Sequence, residues 1–270
     1  MAKADTRVTM PIAEIAVDAY RIVFGRLSLL FDLAWLPFLI MLAATLVPGY
    51  SRLYLDWGGL PSWGGEGINV RAEDLIEAFT SLLCLNAFAV RWHQAILFAG
   101  EAPNPNATFL RAWGRFLLYT LLVYLISAAI LAAMLIAAAG GVSNYVAPAA
   151  GILAALVWIG MLRCSLLFPA AAFGQVLGIA AAWRLMRGNT WRFLGCGILA
   201  CAPVILVSTL LLSGMFTGFH IERFAPHPPL GFFILRNLIP TCSNMIVVAL
   251  SASVLASFYR RIVLRRTTAL

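Results

Sequence analysis

Residues 116–139 read FLLYTLLVYLISAAILAAMLIAAA, 24 consecutive positions without a charged side chain. About 20 apolar residues in helical form cross a hydrocarbon core of roughly 30 Å. A run that is apolar on every side lacks the polar face a surface helix of a soluble domain would show. The same signature, less pure, recurs at 27–47, 75–98, 146–168, 193–218 and 238–259. Backbone surrounded by lipid must satisfy its own hydrogen bonds, so these runs predict helices. The expected fold is an all-α integral membrane protein, one membrane domain over 1–270 with about six transmembrane helices.

Composition agrees. Of the 270 residues 62% are hydrophobic and 11% charged, and the mean hydropathy is +0.92. Soluble domains run near half apolar and a quarter charged, and no soluble interior could hide this surplus. The formal net charge of +8 does not indicate nucleic acid as a partner. Eighteen of the nineteen basic residues are arginine, Lys3 being the exception, and they cluster at the ends of apolar runs. That placement suits anionic headgroups and topology control. In the six-span arrangement fifteen basic residues fall on one side and only Arg52, Arg71, Arg223 and Arg236 on the other. The excess assigns the first side to the cytoplasm, and an even number of spans brings both termini to it.

The segments between spans carry their own patterns. In 1–26, Ile12, Ile15, Ala16, Ala19, Ile22 and Val23 recur at helical spacing while Glu14, Asp18 and Arg21 share the other face. This predicts an amphipathic helix lying in the membrane interface. No apolar core before a small-residue cleavage site appears there, so targeting is expected from the first span. Pro48-Gly49 is expected to end that span. Residues 50–72 form a Gly-rich loop in which Tyr50, Tyr54, Trp57 and Trp63 suit the headgroup level. Residues 174–192 are short, basic and amphipathic, and 171–183 either lie on the bilayer or dip into it as a re-entrant segment. A second outside loop is expected over 219–236, and 260–270 reads as a basic cytoplasmic tail with Arg260, Arg261, Arg265 and Arg266.

An internal echo links these anchors. Ala19-Tyr20-Arg21-Ile22 with Gly25 matches Ala182-Trp183-Arg184-Leu185 with Gly188 without a gap, and Ala112-Trp113 sits before the third span. The chain reads as a three-hairpin pseudo-repeat, each unit an interfacial helix followed by two spans. The alternative is that interfacial segments in general collect Ala, Trp and Arg.

The segment GQVLGIAAAWRLMRGNTWRFL, residues 174–194, resembles an element of the YciC-like membrane proteins, a family related to the membrane domain attached to some glycerophosphodiester phosphodiesterases. Pro169, Ala182, Trp183, Leu185, Arg187, Gly188, Asn189, Trp191 and Arg192 carry the match, and Ala19-Tyr20-Arg21 resembles the family's opening helix. The resemblance implies a six-span bacterial inner-membrane protein. It carries over no catalytic residue, and the phosphodiesterase of those relatives is a separate soluble domain.

Motifs for chemistry are sparse. His220, Glu222 and His227 do not form the HExxH spacing, and Pro226, Pro228 and Pro229 break the helix that motif needs. Ser213 and Thr217 with His220 or His93 would be the only approach to a nucleophile–base pair, and the topology puts His93 at the opposite side. Gly214 and Gly218 fit a GxxxG close-packing face. Cys84, Cys164, Cys196, Cys201 and Cys242 show no metal spacing and read as small apolar packing residues. Neither a cofactor nor a metal is expected. No phosphate-binding loop appears either.

Polar residues at membrane depth are costly and often functional. Asp32, Glu77, Asn86, Arg91, His93, Gln94, Asn237, Ser243 and Asn244 are the set. Asn86 and His93 share a face of the second span with Val90 and Leu97, and with Asn244 of the sixth they could line a polar track. The plainer reading is interhelical hydrogen bonding. The leading functional expectation is a non-enzymatic protein that organises, assembles or regulates envelope partners or lipids. Trp183, Arg184, Arg187, Trp191 and Arg192 are the candidate contacts for anionic lipid of the cytoplasmic leaflet, for a membrane-protein partner or for a second copy. The alternatives are a transporter or lipid-moving protein and, more remotely, an intramembrane enzyme.

Overall fold

The computed structural model describes residues 11–54, 62–63, 70–98, 108–139, 146–218 and 230–264. Among them nine α-helices form: α1 Ile12–Phe24, α2 Leu27–Tyr54, α3 Ala72–Leu97, α4 Phe109–Ala139, α5 Val146–Cys164, α6 Leu167–Ala172, α7 Ile179–Met186, α8 Thr190–Gly218 and α9 Leu230–Tyr259. A π-helical turn, Arg260–Leu264, continues α9. Six helical stretches are long and apolar enough to cross a membrane: Leu27–Gly49, Asp74–Leu97, Phe109–Ala133, Gly151–Ala172, Thr190–Met215 and Leu230–Val263. The protein is an all-α, polytopic membrane protein.

α9 is the hub, touching α8, α1, α3, α2 and α6. Its stripe of Ala249, Ala252, Ser253 and Ala256, all buried, lets neighbouring backbones come close. In lipid, where hydrophobic burial no longer separates helix from solvent, such small-residue packing is a main source of helix association. Large buried side chains, Phe88, Trp92, Phe258 and Tyr259 among them, fill the remaining space. The outer surface carries Leu118, Leu125, Ile152, Leu156, Ile205 and Leu206, all well exposed. On a soluble protein that would be an aggregating patch; here it is the lipid-facing surface.

The structure revises several boundaries. The helix α2 continues through Pro48-Gly49 to Tyr54, while the apolar stretch able to cross a membrane ends at Gly49 as expected. A Cβ at Gly49 would lie 2.7 Å from Phe233 Cζ, so the glycine also serves a close approach of α2 to α9. Within 50–72, Ser62–Trp63 pairs antiparallel with Val70–Arg71. α9 starts at Leu230, ahead of the expected 238, and Pro240 lies inside it.

The fourth span breaks into α5 and α6 at Ser165-Leu166 and extends to Ala172. Pro169 has no N–H for the Ser165 carbonyl, which accepts from Phe168 N instead. Residues 171–173 are buried in the bundle. α6 then ends in a Schellman cap: Gly174 takes φ 80°, Gln175 N reaches Ala170 O at 2.9 Å and Gly174 N reaches Ala171 O at 3.2 Å. Only glycine adopts that backbone without penalty.

Of the three pseudo-repeat anchors, two are separate helices. Ala19 in α1 and Ala182 in α7 are both fully buried, and Arg21 and Arg184 are both exposed. The exits differ, since Gly25 keeps right-handed helical angles while Gly188 takes φ 86°. The middle anchor has no helix of its own: Ala112 and Trp113 belong to α4, which runs unbroken from Phe109.

Candidate functional site at the arginine-rich end

α1, α7, the start of α8 and the π-turn gather at one end of the bundle, together with the C-terminal ends of α3 and α5. α1 is amphipathic as expected, but its apolar face is covered by protein. Ile15, Ala19 and Val23 are fully buried because α1 packs against both α8 and α9. The Tyr20 hydroxyl donates to the Ala200 carbonyl at 2.7 Å, in the turn of α8 that Pro203 disturbs. Burial pushes the Tyr20 phenol above its ordinary value of 10.0, so at neutral pH it stays a donor.

Two arginines expected in a free tail are engaged internally. Arg260 Nη2 donates to the Ile96 carbonyl and, at 3.3 Å, to that of Leu97. A cation there satisfies the orphan carbonyls and the negative end of α3. Arg261 Nη2 lies 2.8 Å from Glu14 Oε1 and 3.5 Å from Asp18 Oδ2. The glutamate and aspartate, four apart on the polar face of α1, were the sequence signal for a basic partner; which arginine answered was not legible.

The five predicted contact residues sit on α7 and the first turn of α8. Arg184 and Arg187 are exposed, Trp183 is 40% and Trp191 68% exposed, and Arg192 is half-buried. Val176 and Ile179, at 81% and 59%, extend the apolar rim. The turn between the helices explains the Arg187-Gly188-Asn189 sequence. Arg187 at φ −58°, ψ 124° and Gly188 at φ 86° make a type II turn closed by Asn189 N to Met186 O at 2.9 Å, and glycine is what that third position requires. Trp183 is oriented by Arg163 of α5, whose guanidinium lies 4.7 Å from the ring centroid. Arg91 similarly covers Phe109 at 4.2 Å, and Phe109 stacks on Trp113. These cation–π pairs fix aromatics at the level where exposed arginines begin.

The proposed polar track is distributed differently. Asn86 and His93 are both buried on α3. Thr120 Oγ1 of α4 lies 2.7 Å from Asn86 Oδ1, while Asn86 Nδ2 donates to Leu82 O at 2.7 Å. His93 packs on the Phe116 ring at 5.9 Å, and its Nδ1 meets no partner among the described residues. Asn244 is exposed on α9 and does not join them. A buried interhelical polar contact of α9 lies elsewhere: Trp92 Nε1 donates to Ser253 Oγ at 3.0 Å, and Ser253 Oγ donates within α9 to Ala249 O at 2.7 Å. Near the other end Thr45 Oγ1 lies 3.2 Å from Glu77 Oε1. Gly214 is exposed, and a Cβ there would meet open space. His220, Glu222 and His227 lie outside the described residues.

The fold and this end of it define a six-span helical membrane protein with an arginine- and tryptophan-bearing rim. No family model, curated protein or solved structure matches the chain.

Proposed function

We propose that the protein is a multi-pass bacterial inner-membrane protein, both termini cytoplasmic, that acts without catalysis by holding anionic lipid and membrane-protein partners at its arginine-rich end. The observation that carries this reading is the exposure of Trp183, Arg184, Arg187 and Trp191 on helices otherwise folded into the bundle. An aromatic at headgroup depth beside a cation is the arrangement that engages phosphate at an interface. The fifteen-to-four partition of basic residues supports the orientation. The resemblance of residues 174–194 to the YciC-like proteins supports the bacterial inner membrane.

The test is purification of the full chain in mild detergent with mass spectrometry of the lipid and protein that remain bound. Each arginine near an anionic surface is worth about 1 kcal/mol. The combined Arg184→Gln, Arg187→Gln and Arg192→Gln variant should therefore lose most retained anionic lipid while its spans stay folded. Retention equal to that of the unaltered protein overturns the reading. A stoichiometric protein in the same preparation would make the chain an accessory subunit of that complex.

A further inference from the structure

Asn244 is exposed on α9, and its amide has no hydrogen-bond partner among the described residues. Two neighbours on the helix fold back onto the backbone instead: Asn237 Nδ2 donates to Phe233 O at 2.7 Å and Thr241 Oγ1 to Asn237 O at 2.8 Å. Contacts at either end of α9 fix the depth of Asn244. Phe233 packs at Gly49 of α2, where the first apolar stretch ends, and Arg260 caps Ile96 and Leu97, where the second ends. Asn244 is eleven residues from the first level and sixteen from the second, about 16 Å and about 24 Å at 1.5 Å per residue. It therefore lies about 4 Å from midway between them, close to the bilayer centre. An arginine or lysine can snorkel to the headgroups on its long stem; an asparagine, with a single methylene, cannot. An amide left unpaired in hydrocarbon is costly.

We infer that Asn244 pairs with Asn244 of a second copy of this chain, at a point where two α9 helices cross. Complementarity is the first argument. An amide carries both donors and an acceptor, so two identical amides satisfy each other through reciprocal N–H···O bonds. A charged group facing its own copy would be repelled instead. Symmetry is the second. Copies inserted the same way stand parallel, and a two-fold axis along the membrane normal sets each residue opposite itself at equal depth. Surface is the third. Pro240, Val247 and Val248, on the same face as Asn244, are half-buried, and none is fully covered by its own chain. Side chains no larger than valine let two backbones come close. Asn237 stands one heptad away, the spacing at which asparagine fixes the register of a two-stranded helix pair. Phe233 is buried at the α2 end of this face, and Ser251 lies 3.3 Å from Cys201 of α8 at the other. The open window from Asn237 to Val248 is about 16 Å long, which suits a crossing and not an extended coiled coil. The inference uses no residue of the arginine-rich rim.

The experiment places the full-length protein, with one fluorophore at its C-terminus, in vesicles of phosphatidylethanolamine and phosphatidylglycerol at falling protein-to-lipid ratios. Copies per particle are counted by stepwise photobleaching. Two steps are expected for the unaltered protein at ratios where Asn244→Leu shows one. Leucine at this exposed position removes no contact within the chain, and dimerisation should weaken about tenfold, the worth of two average hydrogen bonds between membrane helices. Asn244→Gln, which keeps the amide, should recover most of it. Cys242 lies two residues away, about 200° around the helix. Mild oxidation should therefore join copies through Asn244→Cys and not through the native Cys242. A single step at every ratio for the unaltered protein overturns the proposal. Equal dimerisation of the Leu variant, a Gln variant as weak as the Leu one, or cross-linking through Cys242 does so as well. The Arg184, Arg187 and Arg192 triple variant should dimerise like the unaltered protein, so failure of the rim reading and failure of this one are separable.

Discussion

Trp92 and Ser253, 161 positions apart in sequence, form a buried hydrogen bond of 3.0 Å in which the indole N–H donates to a hydroxyl that itself donates to Ala249 O. Both side chains are fully buried. The pair ties α3 to the hub helix α9 at a depth where water cannot substitute for either partner. Measured hydrogen bonds between membrane helices average about 0.6 kcal/mol with a maximum near 1.7. A double-mutant cycle with Trp92→Phe and Ser253→Ala, read by unfolding in mixed micelles, should return a coupling in that range. Additive effects of the two changes would show that the contact contributes nothing.

Tyr20→Phe removes the donor to Ala200 and leaves the ring in place. The expected loss is about 1 kcal/mol, seen as a lower Tm in detergent. The phenol titrates above its ordinary value of 10.0 because it is buried. Its contribution is therefore complete below pH 10 and lost as pH rises through the higher folded value. A stability profile of the Phe variant that falls as steeply above pH 10 as that of the unaltered protein would contradict the contact.

Gly49→Ala puts a Cβ 2.7 Å from Phe233 Cζ. Overpacking of this kind costs about 1–3 kcal/mol. Phe233→Leu in the same chain should restore most of it, and a Gly49→Ala protein as stable as the unaltered one would mean that α2 and α9 are not in this contact.

Arg261→Gln breaks the ion pairs to Glu14 and Asp18. Because Glu14 is 58% and Asp18 34% exposed, the loss should stay within about 1 kcal/mol and shrink with added salt. Hydrogen exchange should rise over α1 in the variant at low salt, and the two proteins should converge at high salt. Unchanged exchange at low salt would show that the pair does not hold α1.

Gly188→Ala forces a side chain onto φ 86° at a site where space is open, so the cost is backbone strain alone. A penalty of about 1–2 kcal/mol is expected, while Gly188→Asn, which tolerates that region better, should cost less. Equal stability of the Ala and Asn variants would argue against the type II turn that joins α7 to α8.

The six spans were legible because a run of apolar residues is a local property. A helix that must satisfy its own backbone in lipid needs nothing from elsewhere in the chain, and residues 116–139 settle their own state. The periodicity of α1 and the exposure of Arg184, Arg187 and Trp191 were readable for the same reason. The partners were not. An amphipathic face such as Ile15, Ala19 and Val23 satisfies a lipid interface and a protein groove equally well, and only the packing of α8 and α9 chose the second. Pro48 and Pro169 each withdraw one donor, yet α2 continues and the fourth span breaks, a difference that neither proline's own sequence announces. Arg260 and Arg261 look like any tail arginines until α3 offers them carbonyls and α1 carboxylates. Asn86 and Asn244 looked alike in sequence. Tertiary structure gave one a threonine across an interface and left the other facing outward, since which face of a uniformly apolar helix turns inward is set by the shape of its neighbours and not by its own residues.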